Sequence, residues 1–257
     1  KRWLLCSQMR LDLPNIALVC CDTRDARLSL ESIHRTIQRV AFGECIYVTC
    51  QAALDELPAN FQIDPSVEIR LVEPFASIAD YSNYVLKNAY LVSLKPYFLF
   101  VQWDSWVLQA ESWTPEFLEY DYIGAVWPHH SDRRVGNGGF SLRSRRLILA
   151  AASLAERGCE RILEVEDDFI CRVVRSELES QHECRFAPER VANRFSAERH
   201  GWSGAPFGFH GLLNFGRVFD HGELSDRLAD LRPSYFGDRH SFDLTKYLTS
   251  QGRYKDA

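Results

Sequence analysis

Several things are missing from this chain of 257 residues. No apolar run approaches the ~20 residues that a membrane-spanning helix needs. No signal-peptide layout opens it, and it starts at Lys1 rather than Met, which reads as a piece of a longer chain. Positive charge is not in excess: the formal net charge of −5 gives no footprint for a nucleic-acid backbone. The eight cysteines, at 6, 20, 21, 45, 50, 159, 171 and 184, form no C-x-x-C pair. Several lie in apolar runs such as IALVCC and CIYVTC, so buried free thiols in a cytosolic protein are expected rather than disulfides or a zinc site. There is no internal repeat, low-complexity tract or linker, and one continuous domain over 1–257 is the simplest organisation.

What is present suits a sizeable core, with 46% hydrophobic and 25% charged residues. IALVCC (16–21) reads as a buried strand, and SLESIHRTIQRVA places Leu30, Ile33, Ile37 and Val40 at helical spacing, with Ser29 as N-cap. CIYVTC (45–50) and VEIRLVE (67–73) read as strands, 77–93 as a helix, and YFLFVQWDSWVL (97–108) as a strand. This alternation predicts an α/β fold, a Rossmann-like domain with a mainly parallel central sheet flanked by helices. Further on, 117–127 reads as a strand, 135–158 as a glycine turn entering a helix, and 164–180 as an acidic start to an amphipathic helix. The tail beyond about 216 is polar, with one amphipathic piece near 224–231.

In open parallel sheets, ligands bind beyond the carboxyl ends of the strands. Asp22-Thr23-Arg24, Thr49 and Gln102-Trp103-Asp104 all occupy such positions. Asp104 stands between two tryptophans, and a carboxylate there is costly unless something offsets its charge. One carboxylate suits a Mg²⁺ or Mn²⁺ whose shell is completed by substrate phosphates and water. In VGNGGFSLRSR, the glycines around Asn137 allow positive φ and close backbone approach, and free N–H groups at a helix start could bind an anion. Glu164, Glu166, Asp167 and Asp168 crowd into five positions. A helix dipole accounts for one or two of them, and crowding raises the pKa of one into the range of a general base. His210, framed by glycines and phenylalanines in PFGFHG, adds an imidazole suited to manganese. Small basic clusters at Arg133-Arg134 and Arg143, Arg145, Arg146 suit an anionic small ligand.

The four motifs in this order (QWDSW, VGNGGFSLRSR, EDDFIC, PFGFHG) resemble a family of GT-A-type glycosyltransferases of bacterial polysaccharide gene clusters, formerly labelled a domain of unknown function. The resemblance covers roughly residues 15–215. It implies a nucleotide-sugar-binding half (1–110), an acceptor and catalytic half (111–215) and a C-terminal extension (216–257). The family's D-x-D matches Gln102-Trp103-Asp104, with an amide in place of the first carboxylate. Asp104 is then the metal contact beside the donor diphosphate, and His210 matches a late histidine of the metal shell. Gly138 and Gly139 match the glycine-rich loop around the donor sugar and acceptor, and Asp167, with Glu166 next, matches the acceptor-side base. Thr23, Arg24 and Thr49 would face the nucleotide, with Asp80, Tyr81 and Lys87 as further donor-side candidates.

The implied activity is inverting transfer of a hexosyl group from a nucleotide-diphosphate sugar, UDP-sugar favoured, to a hydroxyl of a glycan or lipid-linked glycan in surface polysaccharide synthesis. It would use Mn²⁺ or Mg²⁺ in the cytoplasm, or at the inner face of the cytoplasmic membrane, alongside other modules of a longer polymerase. The alternatives are a sugar-phosphate nucleotidyltransferase and a non-catalytic carbohydrate-binding or scaffold module with a degenerate site. CCDTRDARLS, after the first strand, lacks the glycines that the former usually carries.

Overall fold

The computed structural model describes residues 10–157, 165–199, 202, 204–236 and 239–253. Cys6, Cys159 and Glu164 lie outside them. The first strand, β1 (Leu11–Cys21), starts five residues earlier than the apolar run suggests. Its pairing with β2 (Val40–Thr49) shifts register between Leu13 and Ala17, around Pro14, which cannot donate to a ladder. Between them lies α1 (Ala26–Ile37). Its N-cap is Asp25, which accepts the Leu28 N–H at 3.1 Å. Ser29, the expected cap, is buried inside the helix and donates to Asp22 Oδ2 at 3.2 Å.

A short α2 (Gln51–Asp55) leads to β3 (Val67–Leu71). α3 (Ile78–Val92) is capped by Ser77, which accepts the Asp80 N–H at 3.1 Å. The expected strand 97–108 is two strands, β4 (Tyr97–Val101) and β5 (Ser105–Val107). A turn over Gln102–Asp104 breaks it. The Ser105 N–H donates to the Gln102 carbonyl at 3.1 Å, and the Ser105 hydroxyl accepts the Gln102 N–H at 2.8 Å, a local alternative to the ladder. The expected strand 117–127 shrinks to β6 (Tyr122–Ile123), because Thr114 and Pro115 open a 3₁₀ turn through Glu119. The glycine segment feeds a strand, β7 (Phe140–Ser144), and only then α4 (Arg145–Glu156), capped by Ser144.

The acidic motif forms one turn, α5 (Glu166–Asp168), which runs into a π turn at Phe169–Val173 before α6 (Arg175–Gln181). π turns of this kind are frequent at functional sites. α7 (Glu189–Phe195), β8 (Ser196–Ala197) and β9 (Gly208–His210) follow, then α8 (Phe215–Val218) and α9 (His221–Ala229). The last element is α10 (Arg239–Ser250), a helix that the polar tail did not suggest. Its Leu244 and Leu248 are buried in a cluster with Trp106, Phe209 and Phe215.

The main sheet has the order β3-β2-β1-β4-β7-β6. β3, β2, β1 and β4 are mutually parallel, and β7 and β6 complete the sheet in antiparallel pairing. Chain order reverses direction at β1, so the crevice beyond β1 and β4 is the topological switch point. A small sheet, β5-β9-β8, stands beside it. Cys20, Cys21, Cys45, Cys50, Cys171 and Cys184 are all free and buried. Among the described residues, no helix is long and apolar enough to cross a membrane.

Candidate active site

A cavity of about 550 Å³ opens at that switch point. Its lining includes Asp22, Thr23 and Arg24 after β1, Tyr81 in the first turn of α3, Gln102 and Trp103 after β4, Asn137 and Gly139 before β7, Glu166 and Asp167 of α5, and Glu198 and His210. Thr23 accepts the Phe75 N–H at 2.9 Å, which joins the loop before α3 to the end of β1. Asp22 accepts the Arg24 N–H at 2.7 Å, and burial raises its pKa. Arg24 is the only Arg or Lys on the lining among the described residues.

Cross-strand register delivers His210. β5 and β9 pair Ser105 with His210, so the imidazole meets the residue just before β5, Asp104. Its Nε2 lies 3.4 Å from Asp104 Oδ1 and 3.1 Å from Gln102 Oε1; its Nδ1 lies 3.5 Å from Glu198 Oε1. Burial works to lower the His210 pKa, but Asp104 and Glu198 outweigh it and push it up to about 10. Asp104 itself is buried behind this layer, outside the cavity lining. Gly211 follows at φ 98°, a conformation that suits glycine, and its N–H donates to the Asp104 carbonyl at 3.1 Å.

These donors fit a divalent ion, which would displace the Nε2 proton that the two carboxylates favour on His210. Among the described residues, no three His, Cys, Asp or Glu side chains form a metal-holding group; the amide oxygen of Gln102 would have to make the third donor. Adjacent ligands of an octahedral ion with bonds near 2.1 Å stand about 3 Å apart. The spacings around Nε2 are close to that, and an imidazole with oxygen donors suits Mn²⁺ or Mg²⁺.

On the other side of the Asn137–Gly139 loop sits the acidic pair. Asp167 Oδ2 accepts the Gly138 N–H at 2.8 Å, and Oδ1 accepts the Asp168 N–H at 2.8 Å. Burial, then the adjacent Glu166 charge, raises Asp167 to about 8; the Gly138 hydrogen bond and Arg143 only partly counter them. Glu166 plays a different part. Its Oε1 pairs with Arg143 Nη2 at 3.0 Å, both groups are almost fully buried, and the guanidinium lies against the Phe100 and Tyr122 rings.

The glycines act through close approach rather than positive φ: none of Gly136, Gly138 and Gly139 has one. A Cβ on Gly139 would stand 2.2 Å from His210 Nε2, and one on Gly138 would stand 2.8 Å from Glu166 Oε1. Nor are their N–H groups free for an anion. Gly138 donates to Asp167 and Gly139 to Asn137 Oδ1 at 3.2 Å.

Other candidates fall away from the cavity. Thr49 is fully buried at the end of β2, one strand too far from the crevice. Asp80 is exposed and its carboxylate accepts from the Ser77 hydroxyl at 3.0 Å; Lys87 lies farther along α3 than Tyr81, off the lining. Trp103 lines the cavity and packs on Tyr235 with ring centroids 4.5 Å apart, whereas Trp106 is buried against Phe209 and Phe215. The basic clusters are structural: Arg146 pairs with Asp121, Arg134 with Glu189, and Arg145 donates to the Tyr90 carbonyl. Glu198, within the run FAPERVANRFSAER, carries no functional signal in the sequence. Only the pairing of β8 with β9 brings it to His210.

Residues 66–210 match a family described as a protein of unknown function (DUF5672). The chain belongs to this DUF5672 family. The matched stretch contains Gln102, Asp104, Gly138, Gly139, Glu166, Asp167, Glu198 and His210, whereas Asp22–Arg24 precede it. No curated protein matches this DUF5672 chain. Among solved structures, it is similar to a glycosyltransferase involved in glycosylation of the major capsid of PBCV-1, with 9% identity, a TM-score of 0.49, and 84% of this chain and 99% of that one covered. It is also similar to a mannosyltransferase from Pyrobaculum calidifontis in complex with GDP-Man and Mn²⁺, with 11% identity, a TM-score of 0.42, and 100% of this chain and 76% of that one covered.

Proposed function

We propose that this DUF5672 protein is an inverting glycosyltransferase of GT-A type that moves a sugar from a nucleotide-diphosphate sugar, UDP-sugar favoured, to a hydroxyl of a glycan acceptor. The observation that carries the reading is one cavity with two unlike walls. Asp167, a carboxylate of raised pKa, stands on one side of the Asn137–Gly139 loop, and Gln102 with His210, backed by Asp104, stands on the other.

Direct displacement at an anomeric carbon needs a base at the acceptor and charge neutralisation at the leaving group. Asp167 takes the proton of the acceptor hydroxyl as its oxygen bonds to the anomeric carbon. The bond from that carbon to the diphosphate breaks on the far face, and its electron pair leaves with the nucleotide. A divalent ion held by Gln102, Asp104 and His210 would supply charge neutralisation for the diphosphate. Arg24 adds a side-chain cation at the end of β1, and Trp103 and Tyr81 wall the cavity against water. Glu166 is assigned to hold Arg143 and the loop rather than to take the proton. The cytoplasm, a glycan or lipid-linked acceptor, and further modules of a longer polymerase belong to the same reading.

UDP with Mn²⁺ should raise the thermal midpoint. Saturation to 100 times Kd contributes about 2.7 kcal/mol, roughly 5–10 °C for a domain of this size. Asp104→Ala should abolish the shift. An unchanged shift in that variant, or no shift in the native protein, contradicts the donor site.

A further inference from the structure

Glu198 is a buried carboxylate on the cavity wall that the proposed transfer chemistry does not use. Its Oε1 accepts the Asn137 Nδ2–H at 3.1 Å and lies 3.5 Å from His210 Nδ1. Asn137 is itself buried and fixed, because its Oδ1 accepts the Gly139 N–H at 3.2 Å. Below, the fully buried Asn214 donates from Nδ2 to the His210 carbonyl at 2.8 Å and to the Glu198 carbonyl at 3.3 Å. Trp202 Nε1 and Arg217 Nη1 each donate to Asn214 Oδ1 at 2.9 Å. The backbones of His210 and Glu198 are thus bound to one amide, and the Glu198 carboxylate to another.

We propose that Glu198 is the positioning residue of His210: it accepts the Nδ1–H and so directs the Nε2 lone pair to the ion shared with Gln102 and Asp104. The inference rests on the metal-dependent reading above. Which imidazole nitrogen carries the proton is set by the hydrogen bond that the other makes. Two carboxylates flank this ring, and only the one at Nε2 has the Gln102 amide oxygen beside it. At Nδ1 the described residues place Glu198, whose oxygen already takes the Asn137 amide, so it is an acceptor held in place. Asn137 joins this arrangement to the glycine loop, which also holds Asp167 through the Gly138 N–H. Losing such an outer partner typically weakens metal affinity 10–100-fold.

The test is Mn²⁺ binding to the full chain in the presence of UDP, followed by the electron paramagnetic resonance of free and bound Mn²⁺, with unfolding checked in each variant. Glu198→Ala should bind Mn²⁺ 10–100-fold more weakly than the native protein. Glu198→Gln keeps an oxygen acceptor of the same shape and should recover most of that loss. If both variants bind as tightly as the native protein, Glu198 does not position His210. Equal losses in both also overturn the inference, because the ion would then need the negative charge and not the acceptor. If Glu198→Ala does not fold, Glu198→Met, close in shape to the native side chain but without an oxygen acceptor, takes its place against Glu198→Gln: a loss in Glu198→Met that Glu198→Gln recovers supports the inference, and equal affinities in the two overturn it. A native protein that binds no Mn²⁺ at all overturns the metal-dependent reading itself, a result distinct from these.

Discussion

The Arg143–Glu166 pair offers the sharpest energetic prediction. Relative exposures are 1% for Arg143 and 2% for Glu166, with a 3.0 Å contact between Nη2 and Oε1. Removing one partner of a fully buried pair leaves the other charge uncompensated, at a cost of about 3–5 kcal/mol. Arg143 has secondary support, donating to Ser141 Oγ at 3.0 Å and to the Gly138 carbonyl at 3.5 Å, with Phe100 and Tyr122 on its faces. Glu166→Gln leaves Arg143 with that support and keeps an acceptor oxygen, so its loss should fall near the lower figure, about 3 kcal/mol. Arg143→Met strands the carboxylate and should reach the upper one. For a domain with a total stability of about 5–15 kcal/mol, either is a large fraction. The double variant leaves neither charge of the pair buried alone and should lose less than the sum, with a coupling of about 1–3 kcal/mol. Urea unfolding of the four proteins, monitored by tryptophan fluorescence, measures all the terms. Single losses under about 1 kcal/mol, or strict additivity, would refute the account of this pair.

The acidic pair also sets a pH profile: with Asp167 raised to about 8, turnover should climb with pH through that value, and Glu166→Gln should move the rise to lower pH by removing the adjacent negative charge. Stability runs the other way. Asp167 titrates at 3.8 ordinarily and about 8 when folded, so its contribution is whole below about pH 4 and is lost as pH rises through about 8; denaturant titrations at several pH values, with Asp167→Asn as reference, should show it. Gly139→Ala places a Cβ 2.2 Å from His210 Nε2 and should cost about 1–3 kcal/mol by overpacking while weakening Mn²⁺ binding. Gly222→Ala, whose Cβ meets nothing nearer than Asp220 Oδ1 at 3.7 Å, should be neutral or stabilising by up to about 1 kcal/mol in the same unfolding assay.

What the sequence revealed follows from which interactions are local. α1 and α3 were legible because their apolar spacing repeats every turn, and IALVCC because a buried parallel strand is apolar throughout. Asp104 and Asp167 stood out because charge was conspicuous in its surroundings. The strand-end rule brought Thr23, Arg24 and Gln102 to one cavity but misplaced Thr49, since the rule does not say which strands border the crevice. Of the two properties that the glycine run suggests, close approach is the one it uses, against His210 and Glu166, and positive φ is not. Ser105 breaks the Asp104 strand through a side-chain hydrogen bond that no period announces. Glu198 was invisible because β8 is two residues long and acts only by pairing with β9. The split between Asp167 as the proposed base and Glu166 as partner of Arg143 likewise depends on a contact 23 residues away in sequence.

The central claim is most directly tested by incubating the purified protein with a panel of nucleotide sugars and Mn²⁺ and measuring nucleotide release and the anomeric configuration of the product. The account predicts release from one nucleotide-diphosphate sugar with inverted configuration, lost in Asp104→Ala and reduced about 10²–10⁴-fold in Asp167→Ala. Retained configuration, near-native turnover by Asp167→Ala, or no turnover of any nucleotide sugar would contradict it.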